Sequence, residues 1–146
     1  MWAARHDLTA KVLYGQAFRA PSFAEFRLQN NPVALGNDEL DPEEMETIEL
    51  AFDYRPKNNL RLGLNLFKYE WDDIIQYAPS PTLPVGFLQA QNIGEQDGYG
   101  FEFEFDWNIS RTLKVLGNYA FMDAEDQATD EAAGNAPENQ LYLRAA

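Results

Sequence analysis

Between Gly98 and Trp107 every second residue is aromatic: Tyr99, Phe101, Phe103, Phe105 and Trp107 alternate with Gly98, Gly100, Glu102, Glu104 and Asp106. Successive side chains of a strand point to opposite sides of its sheet, so the run presents one aromatic face and one face of glycines and carboxylates. A helical period of 3.6 would mix the two sets around the axis. The chain must therefore build a sheet whose two surfaces meet very different surroundings.

The same period recurs elsewhere. Over residues 46–55, Ile48, Leu50, Phe52 and Tyr54 oppose Thr47, Glu49, Asp53 and Arg55; over 60–71, Leu60, Leu62, Leu64 and Leu66 oppose Arg61, Gly63 and Asn65. Past Leu66 the parity inverts, and Phe67, Tyr69 and Trp71 take the polar side. Either a bulge resets the register there or the strand leaves the apolar zone. Over 112–123, Leu113, Val115, Tyr119 and Phe121 oppose Lys114, Asn118 and Ala120, and residues 8–18 alternate more loosely through Leu8, Val12, Tyr14 and Phe18, with Gln16 interrupting. One further strand is expected within 86–93, and Leu141 and Leu143 open a last one. The pattern predicts an all-β antiparallel meander of six or seven strands.

Its connections alternate in length. Residues 56–59 and 108–111 are short turns, whereas 19–45, 72–86 and 124–137 are long, polar and proline-bearing. Strands 8–18, 60–71 and 112–123 are expected to run toward the long-loop end. The short turns are expected to set Asp53 across from Arg61 and Glu104 across from Lys114.

Charge and composition then remove whole classes of function. Eleven Lys and Arg stand against 24 Asp and Glu, a net charge of −13, which argues against nucleic acid and against binding anionic lipid through a basic patch. There is no cysteine and a single histidine, His6, so thiolate chemistry, disulfides and multi-histidine metal sites are out. No apolar run is long enough for a transmembrane helix, and the N-terminal MWAARHDLTAK lacks the features of a secretory signal. Glu102 and Glu104 share a strand face, as a glycosidase pair would, but two carboxylates lining a wet surface explain them more simply. The acidic stretch 123–131 lacks the glycine and spacing of an EF-hand loop. No serine sits in a nucleophile elbow, so neither enzyme activity, cofactor nor metal site is expected.

Alternation alone leaves two architectures open. One is a self-contained soluble β-sandwich or barrel that binds carbohydrate or protein. The other is the wall of a transmembrane barrel, with strands of about ten residues, trimmed turns at one end and long loops at the other. The asymmetry of the connections favours the second. So does the difficulty of hiding five aromatics from one strand, plus their hairpin partners, in a small soluble core.

A series of motifs adds a resemblance. Tyr14-Gly15-Gln16-Ala17-Phe18-Arg19-Ala20-Pro21-Ser22-Phe23-Ala24-Glu25-Phe26 is followed by Gly36-Asn37-Asp38-Glu39-Leu40-Asp41-Pro42-Glu43 and by Glu46-Thr47-Ile48-Glu49-Leu50. Asn92-Ile93-Gly94 with Gly98-Tyr99-Gly100-Phe101-Glu102, and then Asn135-Ala136-Pro137-Glu138-Asn139-Gln140, come in the order seen in TonB-dependent outer-membrane receptors. The chain resembles that family over about residues 12–146, through Phe18, Arg19, Ala20 and Pro21 of the first box and Gly36, Asn37, Leu40, Pro42 and Glu43 of the second. Asp38 stands where the family often has proline.

The resemblance implies part of the wall of a 22-stranded barrel in the outer membrane of a Gram-negative bacterium. The family's signal, TonB-engaging segment, plug and barrel-closing strands would lie outside these residues. The implied partners are outer-membrane lipid, the rest of the barrel and plug, the TonB complex through segments not included here, and a small ligand, most often a ferric siderophore. Ile48, Leu50, Phe52, Leu62, Leu64, Tyr99, Phe101, Phe103, Phe105 and Trp107 would face lipid. Arg19, Phe23, Phe26, Tyr77 and Phe87, on the outer loops, would be candidates for ligand contact. Haem-uptake members are associated with a histidine between the two boxes; residues 22–31 hold none, and His6 lies upstream.

Overall fold

The computed structural model describes residues 2–127, 131–133 and 137–146. The elements in chain order are β1 (Trp2–Arg5), β2 (Leu8–Arg19), α1 (Phe23–Arg27), β3 (Ala34–Leu35), β4 (Glu43–Lys57), β5 (Leu60–Pro79), β6 (Leu88–Asn108), β7 (Lys114–Asp126), β8 (Glu131–Ala132) and β9 (Asn139–Ala145), and the strands form one open sheet. The strands follow one another as an antiparallel meander, β1-β2-β4-β5-β6-β7, and β7 then pairs with both β8 and β9. The two-residue β3 lies parallel to the start of β6.

Register turns the period-two pattern into surfaces. Ala10, Phe52, Leu64, Phe103, Tyr119 and Leu141 form one row across six strands. Val12, Leu50, Leu66, Phe101 and Phe121 form the next, and Leu8, Tyr54, Leu62, Phe105 and Gly117 the one below. Leu60, Trp107 and Val115 close this face at the short-turn end. Phe101 packs on Tyr119 and Phe121 with ring centroids 5.7 and 5.9 Å apart. The opposite face carries Thr9, Asp53, Gly63, Glu104 and Asn118 in one row and Lys11, Ala51, Asn65, Glu102 and Ala120 in another.

The parity inversion after Leu66 is not a bulge. β4, β5 and β6 stay in register from Leu62 through Trp71. The strand has instead left the apolar zone: at this level the first face carries Gln16, Glu46, Glu70, Asp97 and Glu125 in one row. Phe67 and Tyr69 point to the other side and lie over Gly100 and Gly98 of β6. A Cβ on Gly98 would meet the Tyr69 ring, and one on Gly100 would lie 2.7 Å from Phe67 Cζ. At Gly98 a ring occupies the place of the side chain, and at Gly100 the neighbouring backbone shares that place with a ring. The register shifts come later, between Trp71 and Ile75, where Asp73 has φ 56°.

The longest strands exceed the sequence expectation. Residues 72–86, read as a loop, are mostly strand: β5 continues to Pro79 and β6 begins at Leu88, so a long hairpin stands out beyond the apolar band. The strand expected within 86–93 and the run from Gly98 are a single strand. The acidic stretch from Asp123 begins inside β7, which extends to Asp126. Residues 128–130 of that stretch fall outside the described residues, as do Asn135 and Ala136 of the last motif.

Both lateral edges are open. Among the described residues β1 covers only Leu8, Thr9 and Ala10 of β2, so Lys11–Arg19 has a strand partner there on one side only, and every residue of β9 is exposed. Unpaired edges beside a broad apolar face promote association. Static light scattering of the isolated chain in detergent-free buffer should show oligomers or aggregates; a monodisperse monomer would contradict the open-wall description.

Candidate functional site

The polar face of the short-turn half holds a charge network. Arg61 donates from Nε to Asp53 Oδ2 at 2.6 Å and places Nη2 2.9 Å from Glu104 Oε1. Arg55 approaches the same aspartate at 2.9 Å, and Asn65 donates to Glu49 Oε2 at 2.9 Å. The Asp53–Arg61 pair forms as expected from the turn, although Cα register sets Asp53 opposite Gly63. Glu104 does not meet Lys114, which lies 2.6 Å from Asp106 instead. The turn between β6 and β7 spans five residues, so Lys114 falls opposite Asn108 and Glu104 opposite Asn118. Asp53, Arg61, Asn65, Glu102 and Glu104, with Thr9 and Lys11, line a shallow cavity of about 300 Å³. Glu102 and Glu104 thus sit in a wet, charged wall beside Arg61. Among the described residues no group of acids and histidine is arranged to hold a metal ion. His6 lies in the short turn between β1 and β2, at the opposite end from the long connections.

The long-loop end is organised by the two motif boxes. Ser22 caps α1: its Oγ accepts from Glu25 N at 3.3 Å, and Glu25 Oε2 accepts from Ser22 N at 2.7 Å. This reciprocal capping box satisfies two donors that a one-turn helix would otherwise leave open. Arg19, at the end of β2, donates from Nη1 and Nη2 to Glu25 at 3.0 and 3.1 Å. The same guanidinium donates from Nε to Glu43 Oε2 at 2.8 Å and from Nη2 to Glu43 Oε1. Glu43 is only 2% exposed, and its Oε1 also accepts the backbone N–H of Ile75 at 2.9 Å.

Asparagines complete the assembly. Asn37 donates to Ala90 O at 3.1 Å and accepts from Glu39 N. Asn92 accepts from Asp41 N at 3.0 Å and donates to Asp41 O and Asp73 O. Gly36 N donates to Leu28 O at 2.8 Å, and a Cβ on Gly36 would lie 2.6 Å from Leu28 N, so only glycine permits this approach. Beneath these bonds Leu40, Ile75 and Ala90 form a small buried cluster, with Phe26 packed against it.

The Arg19 charge sets the ionisation of this region. Arg19, hydrogen-bonded to the carboxyl, is the main cause that holds Glu25 down at about 2, against an ordinary 4.5. Glu43 is also lowered, because the Arg19 bonds outweigh its burial, and Arg19 is correspondingly raised. A depressed carboxyl contributes stability that is fully present above its unfolded pKa and is lost as pH falls through the folded value. The network is therefore intact at neutral pH and weakens only in acid, below about 4.5.

The proposed contact residues are placed as follows. Arg19 is engaged by two carboxylates. Phe26 lies under the connection, with the Arg27 guanidinium 4.8 Å from its ring centroid. Phe23 is 84% exposed, Tyr77 is exposed on the outer part of β5, and Phe87 is half-buried before β6. Glu43 and Asn92 are not in that set of contacts, yet they do most to join the connection to the hairpin. Their partners lie 19 to 51 positions away, beyond any local spacing signal.

A family model for the TonB dependent receptor-like β-barrel matches residues 1–146. Among solved structures, a ferric enterobactin receptor mutant of Pseudomonas aeruginosa, PfeA, in complex with enterobactin matches with a TM-score of 0.84 at 20% identity, over 99% of this chain and 24% of that one. The pyoverdine outer membrane receptor FpvA of P. aeruginosa PAO1, bound to pyoverdine, matches with a TM-score of 0.75 at 17% identity, over 99% and 20%. The copper transporter OprC matches with a TM-score of 0.72 at 16% identity, over 94% and 21%. No curated protein sequence matches. The chain spans between a fifth and a quarter of the length of these solved structures. With the family model covering every residue, the chain belongs to the TonB-dependent receptors, as a stretch of the β-barrel wall that these proteins place in the Gram-negative outer membrane.

Proposed function

We propose that the chain contributes to an energy-coupled outer-membrane receptor whose cargo is a ferric siderophore. The observation that carries this reading is the division of the sheet into an apolar face four rows tall, from Leu60 to Leu66 along β5, and a charged face, with the long connections gathered at one end. A wall between hydrocarbon and a water-filled lumen needs that division. In this reading Ile48, Leu50, Phe52, Leu62, Leu64, Tyr99, Phe101, Phe103, Phe105 and Trp107 meet lipid, while the Asp53–Arg61–Glu104 network meets the lumen. Plug, TonB-engaging segment and remaining strands belong to the same receptor outside these residues. In the same reading Phe23, Tyr77 and Phe87, beyond the apolar band at the long-connection end, are the candidates for cargo contact.

Siderophore complexes among proteins of the same fold support the choice of cargo; the copper transporter favours metal ion as the second reading. Cells carrying the intact receptor should accumulate ⁵⁵Fe from a panel of ferric siderophores, and a protonophore should abolish the uptake. Copper accumulation without uptake of any ferric chelate would transfer the function to the second reading.

A further inference from the structure

We propose that Arg19 and Glu43 form a clamp that locks the first outer connection onto the β5–β6 hairpin, so that two outer segments of the wall meet the cargo as one preformed body. The proposal rests on the receptor reading for its purpose, but the geometry behind it needs no ligand.

A connection running from Arg19 to Glu43 would ordinarily be the mobile part of a barrel. Here it is fastened at three separated points. Arg19 holds α1 through Glu25 and the start of β4 through Glu43. Asn37 reaches Ala90 on β6, and Asn92 on β6 reaches back to Asp41. β3 adds a parallel pair to Leu88 and Gln89, and Leu88 N donates to Val33 O at 2.8 Å.

Glu43 is the joint. β4 pairs with β5 only as far as Glu44 opposite Asp72, so the Ile75 N–H lies beyond the ladder. The Glu43 carboxylate supplies the missing acceptor while it takes the Arg19 fork, which joins β2, β4 and β5 through one side chain. A planar guanidinium with five fixed donors can serve two carboxylates at once; an ammonium cannot reproduce that geometry. With its fork so engaged, Arg19 acts on the cargo through the loop and is a positioning residue. A surface already ordered before binding loses less conformational freedom when cargo arrives.

The test is an electron–electron double-resonance distance measurement on the intact receptor in lipid, without ligand, with nitroxides at Glu39→Cys and Thr82→Cys. One narrow distance distribution is expected in the parent. Arg19→Ala and Arg19→Lys should each broaden it at least twofold, whereas Arg27→Ala, which removes the exposed pair with Asp38 and the contact over the Phe26 ring but leaves the Arg19–Glu43 fork in place, should leave it unchanged. Should Arg19→Ala fail to reach the membrane, Glu43→Gln keeps the side-chain shape, loses the charge and should broaden the distribution as well. A broad distribution in the parent, or a width unaffected by Arg19→Lys and Glu43→Gln, would overturn the clamp. Loss of ferric uptake by the parent itself would strike the cargo assignment and leave the distance result standing.

Discussion

Phe103→Arg should destabilise the intact barrel by about 2–4 kcal/mol, the cost of a cation near the bilayer midplane on the lipid face. Phe103 lies between Leu64 and Tyr119 in a row that stays apolar from Ala10 to Leu141. Rows of similar character lie above and below it, so a guanidinium there cannot reach water without crossing two more side chains. Glu104→Arg, one residue along, removes an exposed ion pair with Arg61, and exposed pairs contribute only about 0–1 kcal/mol. Urea-dependent refolding of the two variants into vesicles should separate them by about 1 kcal/mol or more. Equal losses would mean that positions 103 and 104 do not face different solvents.

Gly100→Ala should cost about 1–3 kcal/mol, the range for overpacking, and should fall toward the upper end. The new methyl would collide with the Phe121 carbonyl oxygen and lie 3.1 Å from Met122 Cα, both backbone atoms of the neighbouring strand. Only opening the β6–β7 ladder relieves that contact. Gly63 is crowded by the Glu104 side chain, which can swing away, so Gly63→Ala should be milder. Gly15 has nothing within 4 Å, and Gly15→Ala in the same refolding assay should lie within about 0.5 kcal/mol of the parent.

The strands were legible wherever one face met a uniform environment. The aromatic run from Tyr99, the leucines from Leu60 and the alternation around Leu50 all specified strand and sheet face correctly, because a one-residue slip would have reversed every side chain. Legibility stopped where that uniformity ends. Beyond Trp71 two register shifts break the period, and proline and glycine around the hairpin tip imitate a loop, so the continuation of β5 to Pro79 left no trace in the pattern. Gly98 and Gly100 look like weak points on a wet face until the rings of Tyr69 and Phe67 are placed above them. The family boxes mark Arg19 and Glu43 as notable, but their bond to each other and to Ile75 depends on three strands coming together.

Residues 101–106, replaced one at a time by a spin-labelled cysteine in the intact receptor in bilayers, offer the most direct measurement. Collisions with oxygen, which concentrates in lipid, should dominate at Phe101, Phe103 and Phe105. Collisions with a water-soluble nickel chelate should dominate at Glu102, Glu104 and Asp106. Oxygen preference at the even positions, or no alternation along the six, would contradict a wall that separates lipid from a wet lumen.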